Sequence, residues 1–328
     1  YDVYAGFDMQ GRGFGKYGNA GWETLMQYPV SIVVWGAHDR SQLYIGSTEG
    51  GQSDYAVQNE YQKKQELLFS GANRNVLKLP ALNTGNTTTS FSDLASWHGY
   101  AKAVRERSTL SEVPFVTRFN LGNGRFMNNE GVTTWNHKWY NWGVQDLLPT
   151  WRWWFASKLL GRNASDVPAS GLDAEFVWDN AYVGGSCIRI FGTAADEYLH
   201  LFKTEYALQS GDVITVRYKL NSGKAGMNLV LTALGNESVA INESGLNLLA
   251  ANDEADEDAW VERQFTVGSE LAGKTVALVA LHFTGAENLD LNLGEFSIVR
   301  GTSATPASPV IASSKVLAFS KEGVDGKL

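Results

Sequence analysis

From Leu172 to Arg300 the apolar residues recur at every second position in nine short runs: AEFVWD, SCIRIFG, YLHLFKTEYAL, DVITVRYKL, NLVLTALG, SVAIN, WVERQFTV, KTVALVALHF and LNLGEFSIV. A period of two leaves one face of each run apolar and the other polar, as half-buried strands require. Gly, Asn and Asp separate the runs, and so many short strands in succession predict a jelly-roll β-sandwich over 172–301. The alternation turns Trp178, Ile188, Ile190, Val216, Leu229, Leu231, Val276, Leu278 and Ile298 inward. Residues 302–328, opening TSATPASP, read as a linker and the start of a further module.

The chain before this stretch has another rhythm. Asp2–Asp8 is an apolar run ending in a carboxylate, and Tyr28–Gly36 (YPVSIVVWG) is β-branched and almost free of polar atoms. Strands covered on both faces read this way. Ser53–Ser70 has helical composition with Val57 and Tyr61 on its apolar face, stopped by Gly71. Phe91–Ser108 reads as a second helix, with Ser92 or Asp93 as cap. A third apolar run, Val113–Asn120, turns polar at Arg118 and Asn120 and breaks into a glycine turn. Strands joined by helical crossovers pair in parallel. Residues 1–155 are therefore expected to be the C-terminal part of a (β/α)8 TIM barrel, whose other five strands would precede Tyr1, with a linker at 156–171. Trp151, Trp153 and Trp154 lie at this junction, placed to join barrel to sandwich or to stack on sugar rings.

A formal net charge of −8, with no basic stripe, argues against a phosphate-backbone partner. Cys187 is the only cysteine, so no disulfide framework or cysteine metal site is expected. The five histidines have no metal-ligand spacing, and GRGFG at 11–15 lacks the lysine of a phosphate cradle. No apolar run reaches the length of a membrane span. The chain opens inside a strand without a leader, which suggests that Tyr1 is not the natural start.

YDVYAGFDMQGRG, VSIVVWGAH, VPFVTRFNLGNG and QDLLPTWRWW, in this order, followed by NAYVGGSCIRIFG and NLGEFSI, resemble glycoside hydrolase family 85, the endo-β-N-acetylglucosaminidases. The resemblance spans about residues 1–300. It implies hydrolysis of the GlcNAc-β1,4-GlcNAc core of N-linked glycans on glycoproteins, with retention by substrate assistance. The 2-acetamido oxygen attacks C1 to give an oxazoline, a Glu acts as acid and then base, and an Asn two positions earlier orients the acetamido group. A tethered nucleophile has an effective molarity of about 10⁵ M or more, so the protein supplies no nucleophile of its own. In the family the Asn-x-Glu pair precedes the YDVYAG strand, where this chain has nothing. Asn128-Asn129-Glu130 and Asn252-Asp253-Glu254 lie in polar loops. The resemblance thus implies no catalytic residue here, an inactive chain by itself, the missing N-terminal part of the enzyme as partner, and an extracellular, cell-surface or periplasmic location, with the cytoplasm as the other option.

Substrate contacts are expected where parallel strands end. Trp35 either lines a sugar subsite or packs under the next loop. Asp8, with Gln10 beside it, either binds sugar hydroxyls or pairs with Arg12 or Arg118. Asn120 and Asn123 are sugar contacts or turn formers. Catalysis needs no cofactor, whereas a structural calcium in the sandwich would draw on Asp179 and Glu295. The competing reading is a non-catalytic carbohydrate-binding protein. A two-carboxylate glycosidase built on Asp8 and Asp39 is weaker, because Asp39 lies four residues past its strand.

Overall fold

A computed structural model describes residues 3–8, 24, 27–28, 30–35, 54–71, 99, 110–148, 153–161, 163–242, 245–251, 253 and 259–301. The elements run β1 (Tyr4–Asp8), β2 (Ser31–Trp35), α1 (Asp54–Ser70), β3 (Phe115–Thr117), β4 (Asn123–Gly124), β5 (Met127–Asn129), β6 (Val132–Trp135) and β7 (Trp139–Tyr140). There follow β8 (Trp154–Ala156), β9 (Leu172–Val177), β10 (Cys187–Ala207), β11 (Val213–Ala233), β12 (Asn236–Ala240), β13 (Leu246–Leu249), β14 (Val261–Thr266) and β15 (Thr275–Val299).

Three long strands organise the C-terminal half. β15 lies between β10 and β11 and is antiparallel to both. The other strands sort by which end of these three they join. β9 pairs with β10 at 187–192, β14 with β11 at 213–218, and β3 with β15 at 296–298. At the opposite end β8 pairs with β10 at 198–200, and β13 and β12 with β11 at 227–233. Between the ends the registers slip, at Gly192/Ala194 on β10 and three times between Leu220 and Gly226 on β11. Such bulges bend and twist a strand. The ring contacts show how far. Phe202 is registered with Val279, and Phe296 lies seventeen residues further along β15, about 56 Å if the strand were straight. Yet the Phe202 and Phe296 rings are 5.7 Å apart. The sheet doubles back on itself, and its two halves face each other as a sandwich.

All nine residues expected to point inward are buried. Eight join one core that includes Tyr206, Tyr218 and Phe283. Leu278 instead packs with Trp154 and Ala156 in a separate cluster. The registers with both neighbours shift between Leu278 and Val276 (Lys203/Tyr206 on β10, Thr232/Ala233 on β11), which breaks the parity there, and a one-residue slip exchanges faces. Cys187 is buried and free, and desolvation pushes its thiol well up, so it is unreactive.

The N-terminal expectation divides. β1 and β2 are parallel, register Tyr4↔Ser31 to Asp8↔Trp35. Two parallel strands fit a (β/α)8 barrel and equally any other parallel sheet. α1 forms and ends at Gly71, whose φ of 85° suits the residue after a helix. The helix expected at 91–108 lies outside the described residues, apart from Gly99. Val113–Asn120 departs from expectation: β3 is not a third parallel strand but runs antiparallel to β15 of the sandwich. Leu110 likewise bridges Thr204 of β10, and β8 pairs with β10 at 154–156. The sandwich therefore recruits strands before 172, β3 at 115–117 and β8 at 154–156. A short apolar run looks the same in either kind of sheet; its partner decides.

Glu197 shows how the sandwich treats a buried carboxylate. It is 3% exposed and accepts a hydrogen bond from the Leu172 N–H at 2.9 Å. Desolvation raises its pKa, and this outweighs the opposing hydrogen bond. A raised carboxyl pKa means that ionised Glu197 opposes folding above its folded pKa, an effect that vanishes below the unfolded value. Glu197→Gln keeps the acceptor and removes the charge. The variant should melt higher than the parent at pH 7, and the gap should close as pH falls to about 4, the ordinary carboxylate range. A gap constant across that window would show that burial of the charge is not the cause.

Candidate functional site

The register of the parallel pair sets Asp8 opposite Trp35 at the carboxyl ends of adjacent strands. Trp35 is 68% exposed, as are Tyr4 and Val33 of the same strand pair at 65% and 45%. A large indole left in solvent at a strand end is available to stack on the apolar C–H face of a sugar ring. The side chain of Asp8 and the whole of Gln10 lie outside the described residues, as do His38 and Asp39.

Asn120 and Asn123 behave otherwise than as sugar contacts. Asn120 is buried; its Nδ2 donates to the Val144 carbonyl at 3.0 Å and its Oδ1 accepts from the Gly122 N–H at 3.2 Å. Asp146 Oδ2 accepts from the backbone N–H groups of Arg118 (2.9 Å) and Asn120 (3.1 Å). A Cβ on Gly184, where φ is +85°, would come within 2.6 Å of the Asn120 amide, so only glycine allows this approach. Ser186 Oγ accepts from the Leu121 N–H and donates to the Phe119 carbonyl. Asn123 Oδ1 accepts from Trp178 Nε1 at 2.7 Å. Asn120 thus closes the glycine turn on Gly122 and Val144, and Asn123 ties it to Trp178.

Trp178 is the pivot of the contact with α1. Tyr55 packs edge-on against it at 6.1 Å, Arg125 lies over the Tyr55 ring at 5.5 Å, and Lys63 reaches Glu175 at 3.3 Å. Burial, reinforced by the charge on Asp179, pushes the Tyr55 hydroxyl up to about 12. Tyr55 therefore stays neutral throughout the physiological range.

The oxygen ligands suggested for calcium are held by arginines. Asp179 faces Arg125 at 3.5 Å. Glu295 is 4% exposed and carries Arg118 at 3.1 Å on one oxygen and Arg217 on the other, with Arg217 also reaching Glu262. Both oxygens of Glu295 are occupied by guanidinium groups, so this pair does not fit a calcium ion. Among the described residues no three His, Cys, Asp or Glu side chains gather into a metal cage.

The same network seats an aromatic pair. Arg217 lies over the Tyr182 ring at 4.8 Å, and Tyr182 meets Trp260 edge-on at 5.6 Å. A Cβ at Gly131 would fall 2.6 Å from the Trp260 ring, and one at Gly294 2.3 Å, so the indole is wedged between the β5–β6 turn and β15. QDLLPTWRWW contains Asp146 and WVERQFTV begins at Trp260, but neither residue's role was readable there, because their partners are remote in sequence. Trp153 and Trp154, two of the three junction tryptophans, serve the sandwich itself. Trp153 packs on Phe176 at 5.3 Å, and Trp154 stacks on His200 at 4.6 Å. Trp151 lies outside the described residues.

Among the described residues no helix is long and apolar enough to cross a membrane. A search of curated proteins gives no match. Among solved structures, the glycoside hydrolase domain of Spr0440, Endo-D from Streptococcus pneumoniae R6, superimposes with a TM-score of 0.63 at 23% identity, over 91% of this chain and 42% of that one. The chain thus spans less than half of that relative, and the likeness is one of fold. The CBM22-1 xylan-binding domain of Paenibacillus barcinonensis Xyn10C (TM-score 0.28, 16% identity, 41% of this chain and 84% of that one) is a far weaker likeness. The xylan-binding module CBM15 is similar to the same degree (TM-score 0.29, 10% identity, 42% and 94%). Residues 1–127, which carry β1, β2, α1, β3 and β4, match the family model of glycosyl hydrolase family 85. The likeness to glycosyl hydrolase family 85 thus rests on the first 127 of the 328 residues.

Proposed function

We propose that the chain forms part of an endo-β-N-acetylglucosaminidase that hydrolyses the chitobiose core of N-linked glycans, with β1 and β2 as strands of its (β/α)8 barrel and Trp35 lining the sugar cleft. The observation that carries this reading is the exposed Trp35 set beside Asp8 at the ends of two parallel strands, inside the segment that matches the hydrolase family. Barrel enzymes build their sites at that end of their strands. The acid/base of a substrate-assisted reaction needs a carboxyl of raised pKa beside a side chain that holds the acetamido group. Asn128 and Glu130 do not meet that need. Asn128 Nδ2 donates to the Ala181 carbonyl and its Oδ1 accepts from Thr133, while Glu130 sits in the β5–β6 turn at φ 52°. Of Asn252-Asp253-Glu254 only Asp253 is described. The reading therefore assigns the catalytic pair to sequence other than these residues, in the remainder of the hydrolase domain.

Mass spectrometry of a glycoprotein substrate tests this. The complete enzyme should leave one GlcNAc on the protein, and the 328-residue chain alone should leave the glycan intact. In the complete enzyme Trp35→Ala should lower kcat/KM about 10-fold, from the loss of about 1–1.5 kcal/mol of ring stacking. Its melting temperature should not move, because the ring is exposed. Unchanged turnover by that variant would remove Trp35 from the cleft. Robust cleavage by the 328-residue chain would return the acid/base to its own carboxylates, Asp8, Asp39 and Glu130 first.

A further inference from the structure

We propose that a cleft at the open edge of the sandwich is a ligand site that takes a single sugar residue, bound end-on. On the edge of β11 away from β15, β14 covers 213–218 and β13 covers 227–229, so the intervening backbone has no neighbour among the described strands. There the two halves of the sandwich part around a cavity of about 280 Å³. Its walls are Tyr218, Leu220, Leu249 and Val261, and its rim carries Asp253 and Arg263. Tyr218, Leu220 and Leu249 are core residues, each under 5% exposed, whereas both rim side chains are exposed.

The cleft opens to solvent and has room for several waters, each of which takes about 30 Å³ in the liquid. Hydrogen bonds brace its walls. The Leu248 carbonyl accepts from Tyr218 OH at 2.6 Å and from Arg263 Nε at 3.0 Å, which ties β13 to β11 and β14 across the opening. Asp253 Oδ2 accepts from the Ala250 N–H at 3.0 Å and fixes the rim. A preformed cavity with apolar walls and a few placed polar groups is the usual form of a small-molecule site.

The rim decides the chemical class. An ionised aspartate only accepts hydrogen bonds and a guanidinium only donates them. Asp253 disfavours an anion and Arg263 disfavours a cation, while neighbouring hydroxyls, each both donor and acceptor, satisfy the two together. The apolar walls suit the C–H face of a pyranose. The volume lies at the small end of ligand pockets, enough for one ring and not for a chain of them. The site stands on these residues alone and does not depend on the activity proposed for β1 and β2.

The test is methyl-resolved NMR of the 328-residue chain, titrated separately with D-mannose, D-galactose and N-acetyl-D-glucosamine. At least one sugar should shift the Leu249 and Val261 methyl signals saturably, with a Kd in the millimolar range expected of so few contacts. Arg263→Ala and Asp253→Ala should each weaken that sugar about 10-fold, the worth of a hydrogen bond to a charged group. Arg263 also holds the Leu248 carbonyl and Asp253 the Ala250 N–H, so Arg263→Lys and Asp253→Asn serve as second variants, and parent-like core methyl signals such as those of Ile188 and Ile298 show that each variant keeps its fold. The proposal fails if no sugar gives saturable shifts at these methyls, or if neither substitution changes the titration. It also fails if benzene saturates the cavity while every sugar leaves it unmoved, which would make it a dry apolar void.

Discussion

Replacing Phe202 by alanine should lower the unfolding free energy by about 3–5 kcal/mol, the range for a large aromatic deleted from a core. The side chain is fully buried. It meets Phe115 of β3 edge-on at 5.4 Å and stacks on Phe296 of β15 at 5.7 Å, so its loss opens a cavity between the two halves of the doubled sheet. For a unit of this size that corresponds to a fall in Tm of roughly 6–20 °C. Val213→Ala, at a half-buried position on the outward face of β11, is the matched control and should cost under about 1 kcal/mol. Urea denaturation followed by tryptophan fluorescence distinguishes them. Equal effects would mean that the long strands do not fold back as described, because only the fold brings Phe202 to Phe115 and Phe296.

Glu295→Ala should be nearly as severe, at about 3 kcal/mol. Removing one partner of a buried ion pair leaves an uncompensated charge. Here the carboxylate is 4% exposed and is shared by Arg118 and Arg217. The figure sits at the low end of the buried-pair range because Arg118 reaches solvent and Arg217 keeps Glu262. The substitution also removes the anchor of Arg118, which follows β3, and unsettles Arg217 beneath the Tyr182 ring. Tryptophan emission should therefore change in the native baseline as Trp260 loosens. A variant as stable as the parent, with unchanged emission, would show that the three charges contribute nothing net.

Some of this was legible in the residues alone. A period of two over 172–300 specifies strands with one apolar face, and burial of Trp178, Ile188, Ile190, Val216 and Ile298 follows from it. The β-branched run at 30–35 and the glycine after the helix at 54–70 are likewise local signals, and β2 and α1 stand where those signals put them. That Trp35 ends β2 was readable too, whereas the run's apolar character did not foretell that Val33 and Trp35 are exposed.

The rest depended on partners distant in sequence. VPFV at 113–116 serves a parallel or an antiparallel strand equally well, and only its pairing with Phe296–Ile298, some 180 residues on, settles the matter. Asn120 and Asn123 flank a glycine turn in either role; the carbonyl of Val144 and the indole of Trp178 turned them inward. Glu295 is a plausible oxygen ligand as a residue type, until the fold brings two arginines onto its carboxylate. Leu278 changed cluster because the register slip beside it reversed the parity of its strand. The sequence by itself thus determined which residues form strands and which of their faces are apolar. The tertiary structure alone decided which strands pair, where the long ones bend, and which polar side chains are left facing solvent, because those are set by long-range contacts that no local pattern encodes.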